Sequence, residues 1–188
     1  MEFLAEGIII AFRLLVRADP EVISAAKNSI YLAFWSTLVA STFGLPIGYL
    51  LAINKFRGKE IAITLVNALL GLPTVVIALV VYAFLSRQGL LGSLGLLFTP
   101  MGVIIGLVIL ATPIVTAFIL SALKEMDPRV RLTAFTLGAR PFRTAWTVLG
   151  EIRYGVMAAI LAAFGRVVAE VGIAMMLGGN LSLIHISE

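Results

Sequence analysis

Residues 101–123 read MGVIIGLVILATPIVTAFILSAL, a stretch without a charged side chain. A helix needs about 20 predominantly apolar residues to cross the hydrocarbon core of a bilayer. Three further stretches of this kind lie at residues 28–53, 61–85 and 154–177, although the last contains two charged residues. The sequence therefore predicts an all-α fold, a transmembrane helix bundle that crosses the membrane four times.

The overall composition excludes a soluble enzyme. Of the 188 residues, 61% are hydrophobic and 13% are charged, whereas soluble domains average about 45–50% and about 25%. The net charge of +4 does not indicate nucleic-acid binding, because the basic residues lie between apolar runs and not in a solvated basic domain. The chain has no cysteine, which excludes disulfides and thiolate metal sites.

Residues 1–27 form a separate N-terminal segment in this interpretation. Glu2 and Glu6 precede its apolar run, and Arg13 and Arg17 interrupt it. The segment is therefore neither a cleavable signal peptide nor a membrane span. We expect residues 2–17 to form a short helix at the membrane interface.

The distribution of basic residues predicts the orientation, because Lys and Arg are retained on the cytoplasmic side. The loop at residues 54–60 carries three of them and the insert at residues 124–153 carries six, so this side has nine positive charges. The opposite side has four, which are partly offset by acidic residues. We expect both loops to be cytoplasmic and the N-terminus to lie outside.

Glycine and proline interrupt three of the predicted spans, at residues 44–48 (GLPIG), 71–73 (GLP) and 112–113 (TP). Proline kinks a helix, and broken membrane helices often line a transport path. Both residues are also simply commoner in membrane helices. Taken together, the three interruptions favour a path, with Pro73 and Thr74 among its lining residues.

The insert at residues 124–153 predicts two short amphipathic helices joined by a glycine elbow. One apolar face is formed by residues spaced at i, i+3, i+4, i+7 and i+10, namely Phe142, Ala145, Trp146, Leu149 and Ile152. A shorter helix upstream ends near Gly138, which allows a left-handed cap, and Pro141 begins the next helix. The apolar face either binds a partner or packs beneath the chain's own bundle.

The sequence of this insert resembles the EAA loop of permease subunits of ABC-type importers. In LTAFTLGA at residues 132–139, Ala134 and Gly138 match the family pattern, whereas Leu132 and Thr133 depart from it. The segments GLPT (71–74), SLGLLFTP (93–100), GRVVAEVG (165–172) and GGN (178–180) extend the similarity. Together they resemble the permeases for tungstate, and more distantly those for molybdate and sulfate.

The resemblance implies a type I ABC importer permease (MetI-like) fold over residues 28–180. It implies a homodimer in the inner (cytoplasmic) membrane of a bacterium or archaeon that imports an oxyanion, most directly tungstate. Molybdate, sulfate or another small solute is the alternative. It also implies an extracytoplasmic substrate-binding protein and a cytoplasmic ATPase that binds the ATP. The permease is then no enzyme and holds no cofactor, in keeping with the lack of a phosphate-binding GxxxxGK[ST] motif.

In the family, the EAA loop docks into a cleft of the ATPase and transmits its motion to the membrane helices. The resemblance assigns this coupling role to five residues of the insert, Ala134, Phe135, Gly138, Ala139 and Trp146. A different class of function stays open, a membrane scaffold that recruits a cytoplasmic partner through the basic loop. A membrane enzyme would need paired carboxylates, an activated serine or a metal cluster, none of which the sequence suggests.

Two charged residues in the fourth predicted span are further candidates for the path. Arg166 and Glu170 are four residues apart and therefore share one face of a helix. Charged residues in a membrane helix usually face the bundle interior or water. They either line or gate the path, with Arg166 attracting the oxyanion, or form a structural ion pair.

The C-terminal residues 181–188 read LSLIHISE, which matches a codon-by-codon translation of a transposon adapter used in sequencing libraries. We expect this tail to be non-native and the natural chain to continue from about Asn180 into one more span. His185, the single histidine, then carries no functional role.

Overall fold

The structure is a computed structural model that describes residues 20–179, apart from the side chains of residues 21, 22 and 135. The predictions for residues 1–19 and for the tail lie outside this range. Within it, the secondary structure is entirely helical, as predicted. One turn of 3-10 helix lies at Gly92–Leu94, and the α-helices are α1 (Pro20–Ile53), α2 (Lys59–Leu70), α3 (Thr74–Leu85), α4 (Pro100–Glu125), α5 (Pro128–Thr136), α6 (Pro141–Glu151), α7 (Arg153–Val168) and α8 (Gly172–Gly178).

Helix α4, which contains the stretch at residues 101–123, is the centre of the bundle. It packs against α1, α2, α3, α7 and α8. Val103, Val115 and Ile119 are completely buried along its length. By length and hydropathy, α1 and α4 can each cross a membrane as single helices.

The close contact between α1 and α4 depends on two glycines of α1. A Cβ atom added at Gly44 would lie 2.7 Å from the Cβ of Val115, and one added at Gly48 would lie 2.9 Å from the Cβ of Ile119. The Thr116 hydroxyl lies between the two helices, 3.5 Å from the Gly44 carbonyl oxygen. Small residues let membrane helices approach closely, so that van der Waals packing holds them together.

The predicted interruptions of the first and third spans are wrong. Helix α1 continues through Pro46 and α4 continues through Pro113. A proline removes only one backbone hydrogen bond, and membrane helices tolerate it where neighbouring groups satisfy the freed carbonyl. The glycines beside Pro46 serve the packing against α4 instead of breaking α1.

The predicted interruption of the second span at residues 71–73 is confirmed. Residues 61–85 are divided between α2 and α3, which meet at an angle of 101°. Pro73 adopts an extended conformation before α3, with φ −60° and ψ 130°. Proline disfavours the helical conformation of the residue before it, so the helix ends before Pro73 and restarts at Thr74.

The fourth predicted span is also divided, because α7 ends at Val168 and α8 begins at Gly172. The sequence analysis noted the two charged residues of this span, but no break in the helix was predicted. A second sharp bend, of 76°, separates α6 from α7. The structure thus has two continuous spans and two bent helix pairs, of which α6–α7 contains the amphipathic part of the insert.

Candidate functional site

The glycine elbow between α5 and α6 has the predicted left-handed geometry. Gly138 has a φ of +78°, a conformation that glycine adopts without steric cost. Immediately after it, the Ala139 N–H donates to the Ala134 carbonyl oxygen at 3.0 Å. This six-to-one hydrogen bond is the Schellman cap that ends many helices, and it fixes the direction in which the chain leaves α5.

Helix α6 is tied to this elbow at its first turn. Arg140 is extended, and Pro141 occupies the first helical position, where its missing N–H costs nothing. The Thr144 side chain is completely buried, and its hydroxyl donates to the Arg140 carbonyl oxygen at 3.3 Å. The elbow is therefore a fixed corner and not a loose linker.

The apolar face predicted for α6 is confirmed only in part, because Ile152 is buried and Leu149 packs partly buried against the core, whereas the two aromatic residues do not. The buried residues are Thr144, Val148 and Ile152, and the last two belong to the core of the bundle. Phe142 and Trp146 lie outside that face, with 75% and 63% of their surface exposed. The signal missed in the sequence was Thr144, whose polar side chain concealed the position of the buried face.

The exposed apolar side chains around the elbow form what we call the elbow patch. It consists of Leu132, Leu137, Phe142 and Trp146, each of which is more than 60% exposed. The Phe142 and Trp146 rings support each other edge to face, with centroids 6.2 Å apart. Exposed apolar surface of this kind marks an interaction site. Among the other predicted coupling residues, Ala134 is buried, and the side chain of Phe135 lies outside the described part.

The breaks in the second and fourth spans lie side by side. Helix α3 packs against α8, and a Cβ atom added at Gly172 would lie 3.8 Å from the Thr74 hydroxyl oxygen and 3.1 Å from a carboxylate oxygen of Glu170. The structure thus brings Thr74 and Glu170 together, and Pro73 directly precedes Thr74. The position of Gly172 at the start of α8 could not be predicted from the sequence, because no break was expected in the fourth span.

Arg166 and Glu170 form an ion pair at this meeting point. The Arg166 Nη1 atom donates to Glu170 Oε2 at 2.6 Å. The other carboxylate oxygen of Glu170 accepts from the backbone N–H of Ile173 at 3.4 Å. Glu170 therefore links the last turn of α7 to the first turn of α8, and Arg166 places a positive charge beside the break between these two helices.

Comparison with known proteins supports the same class of molecule. A family described as the inner membrane component of binding-protein-dependent transport systems matches residues 44–187. A probable anion ABC transporter permease protein of Haloferax volcanii is 36% identical over 160 residues, which cover 85% of this chain and 69% of that protein. Tungstate uptake system permease proteins of Campylobacter jejuni and Peptoclostridium acidaminophilum are 35% and 32% identical over 181 residues. These cover 96% of this chain and 76% and 79% of the two relatives.

The match covers most of the chain and agrees with an all-helical bundle that has helices long and apolar enough to span a membrane. Members of this family are transport subunits of ABC importers and not enzymes themselves. The chain belongs to the family of inner membrane components of binding-protein-dependent transport systems, the permease subunits of ABC importers.

Proposed function

We propose that this permease carries an oxyanion inward, and that the oxyanion is tungstate. The observation that carries the proposal is the position of Arg166, a partly exposed cation that pairs with Glu170 at the break between α7 and α8. Broken membrane helices form substrate sites in many transporters, and a dianion needs a positive or donor-rich route through the bilayer. Relatives that are named as tungstate permeases favour tungstate.

Molybdate, sulfate or another small solute is the second candidate for the cargo. A probable sulfate transport system permease protein of Chlorokybus atmophyticus is 28% identical over 173 residues, which cover 88% of this chain and 60% of that protein. These ions are all tetrahedral dianions, so Arg166 alone has little means of telling them apart. We assign most of the selection to the extracytoplasmic binding protein.

Reconstituted uptake is the direct experiment. The permease, its ATPase and the binding protein encoded beside it are incorporated in vesicles, and the import of tungstate, molybdate and sulfate is measured with and without ATP. We expect ATP-dependent import of tungstate. The proposal is contradicted if the complex assembles fully but imports none of the three ions, and if none of them changes its rate of ATP hydrolysis. That outcome favours the scaffold alternative.

We further propose that the elbow patch docks the ATPase. One face of α6 is already used by its own bundle, through Val148 and Ile152, whereas the edge bearing Phe142 and Trp146 is exposed. Aromatic side chains of this kind dominate the binding energy of many interfaces. ATP-driven motion applied here would reach the membrane helices because the bend between α6 and α7 follows directly.

Truncating Trp146 tests the docking surface. We expect Trp146→Ala to weaken the binding of the ATPase about tenfold, because interface hot spots of this type contribute more than 1 kcal/mol. The affinity is measured by titrating the ATPase onto the permease in nanodiscs. Tyr154→Ala is the matched control, since Tyr154 is also exposed, by 72%, but lies in α7 outside the elbow patch. Equal losses in both variants would argue against docking at the patch.

We also propose a homodimer whose path lies between the two copies. The Arg166 side chain is 40% exposed in the single chain, so a second copy would supply the opposite wall of the path. The single chain would otherwise leave a charged group of the fourth span facing lipid, which is energetically costly.

For the orientation, we propose that the N-terminus lies outside and that loops 54–60 and 124–153 are cytoplasmic. The chain contains no cysteine, so single cysteines report accessibility without background. We expect Gln88→Cys to react with a membrane-impermeant maleimide in intact cells, and Arg143→Cys to react only after the membrane is opened. Both positions are exposed in the structure. If Arg143→Cys reacts in intact cells and Gln88→Cys does not, the topology is the opposite of the one proposed.

A further inference from the structure

Glu170 is the one charged side chain that is buried in the described part of the chain. Only 5% of its side chain is exposed, against 40% for its partner Arg166. A buried carboxylate is costly unless it is paired and hydrogen-bonded. Both conditions hold here, because one oxygen accepts from Arg166 and the other from the Ile173 N–H.

The two members of the pair differ in how firmly they are held. Glu170 is anchored on both sides of the break between α7 and α8, and Gly172 fits closely against its carboxylate. Arg166 is anchored through one Nη1 contact at 2.6 Å, and a guanidinium has five N–H donors in all. Its exposed side thus remains available to a second anion while Glu170 keeps its place.

An unpaired guanidinium in a low-dielectric bundle would bind a dianion strongly, because charges interact far more strongly there than in water. A strong site stops transport, since conduction requires binding that is favourable enough for entry yet weak enough for release. A carboxylate that shares the guanidinium lowers its net attraction for a further anion. The observed geometry places Glu170 in this position.

We propose that Glu170 is a positioning residue that weakens the hold of Arg166 on a passing oxyanion and so allows its release. Glu170 does not touch the oxyanion but acts through the guanidinium that it shares. This inference rests on the proposed function, since it assumes that the oxyanion passes Arg166. Under this proposal, removing the charge of Glu170 raises the affinity for the anion, whereas a purely structural ion pair predicts no such increase.

The test is Glu170→Gln, which keeps the size of the side chain and an oxygen that accepts from the Ile173 N–H, but removes the charge. Binding of sodium tungstate at fixed ionic strength is measured on the permease–ATPase complex in nanodiscs, without the binding protein. We expect tungstate affinity to rise about tenfold or more, on the scale of one charge-assisted hydrogen bond, while the maximal rate of ATP-driven uptake falls. A merely structural role would lower the stability and the rate without tightening binding.

Arg166→Gln combined with Glu170→Gln is the matched control. Replacing both partners removes the pair without leaving a buried charge, which is tolerated far better than removing one. We expect this double variant to assemble and to lose tungstate binding. Glu170→Asp is the second variant should Glu170→Gln fail to assemble. Its carboxylate is drawn back from Arg166 by one methylene, so we expect a smaller increase in tungstate affinity.

Two results separate the inference from the function on which it rests. The first result is that the wild-type complex imports tungstate but Glu170→Gln and Glu170→Asp bind tungstate no more tightly than wild type. This result contradicts the role of Glu170 and leaves the proposed function in place. Wild-type complex with its binding protein that imports no oxyanion overturns the proposed function and this inference with it. Tighter binding with slower uptake supports both.

Discussion

Gly138→Val is expected to reduce ATP-driven uptake by more than tenfold while the protein still inserts in the membrane and assembles its bundle. Gly138 has a φ of +78°, and the left-handed region costs other residues roughly 1–2 kcal/mol. For a β-branched side chain such a conformation is a genuine outlier. An energy of about 1.4 kcal/mol corresponds to a factor of ten in occupancy. The elbow would thus leave its fixed geometry and displace the docking surface.

The substitution leaves the bundle itself intact, because a Cβ atom at Gly138 would meet nothing within 4 Å in the chain. Two matched substitutions isolate the role of the elbow. Gly58→Val introduces the same strain, at a φ of +91°, in the other predicted cytoplasmic loop, and Gly150→Val adds the same side chain to α6 without a positive φ and without a clash. We expect both to retain most of the uptake. Unaltered uptake in Gly138→Val would remove the coupling role of the elbow.

Gly138→Asn distinguishes two reasons why Gly138 could be required: its left-handed backbone conformation, and the close approach of the ATPase that a missing side chain permits. Asparagine tolerates the left-handed region better than other non-glycine residues but adds bulk where the partner is proposed to dock. Uptake that is restored in Gly138→Asn indicates a requirement for conformation alone. Uptake that stays low indicates that the ATPase contacts the backbone of Gly138.

The class of fold followed from the sequence because lipid imposes simple rules on length and hydropathy. A long apolar stretch without charged residues, such as residues 101–123, must form a helix to satisfy its backbone in lipid, and the structure confirms this helix as α4. The cap at Gly138 was equally predictable, since glycine before proline matches a local rule for helix ends. Local rules sufficed for these elements.

Helix continuity was not predictable, because it depends on neighbouring helices. Pro46 and Pro113 lie within helices, whereas the chain breaks at Pro73. Around Pro46 the close packing of α1 on α4 maintains the helix, and no local pattern reveals that partner. The break after Val168 was missed for the same reason, since Gly172 and Thr74 meet only in three dimensions. For the candidate site, the sequence supplied Arg166 and Glu170 as a pair but not the helix break that they bridge.

The contact between α1 and α4 gives the second large prediction. Gly44→Ala combined with Gly48→Ala is expected to prevent the bundle from assembling. A Cβ atom at Gly48 would lie 2.9 Å from the Thr116 carbonyl oxygen, and backbone atoms of a packed helix cannot move aside cheaply. Alanine improves helix propensity by about 0.5–1 kcal/mol per site, but overpacking costs about 1–3 kcal/mol per site. The destabilisation by overpacking exceeds the stabilisation from helix propensity. Because Gly44 and Gly48 lie one turn apart on the same face of α1, we expect the double substitution to separate the two helices.

The measurement is the thermal midpoint of the purified protein in detergent, together with its elution as a single species. Gly165→Ala is the control, because Gly165 also lies in a membrane helix but its added Cβ would meet nothing within 4 Å. We expect Gly165→Ala to be neutral or slightly stabilising, since only the propensity term acts there. We expect Gly48→Ala alone to lower the midpoint and the double variant to aggregate. If Gly48→Ala and Gly165→Ala behave alike, the packing of α1 on α4 does not determine the stability of the bundle, and propensity outweighs the close contact.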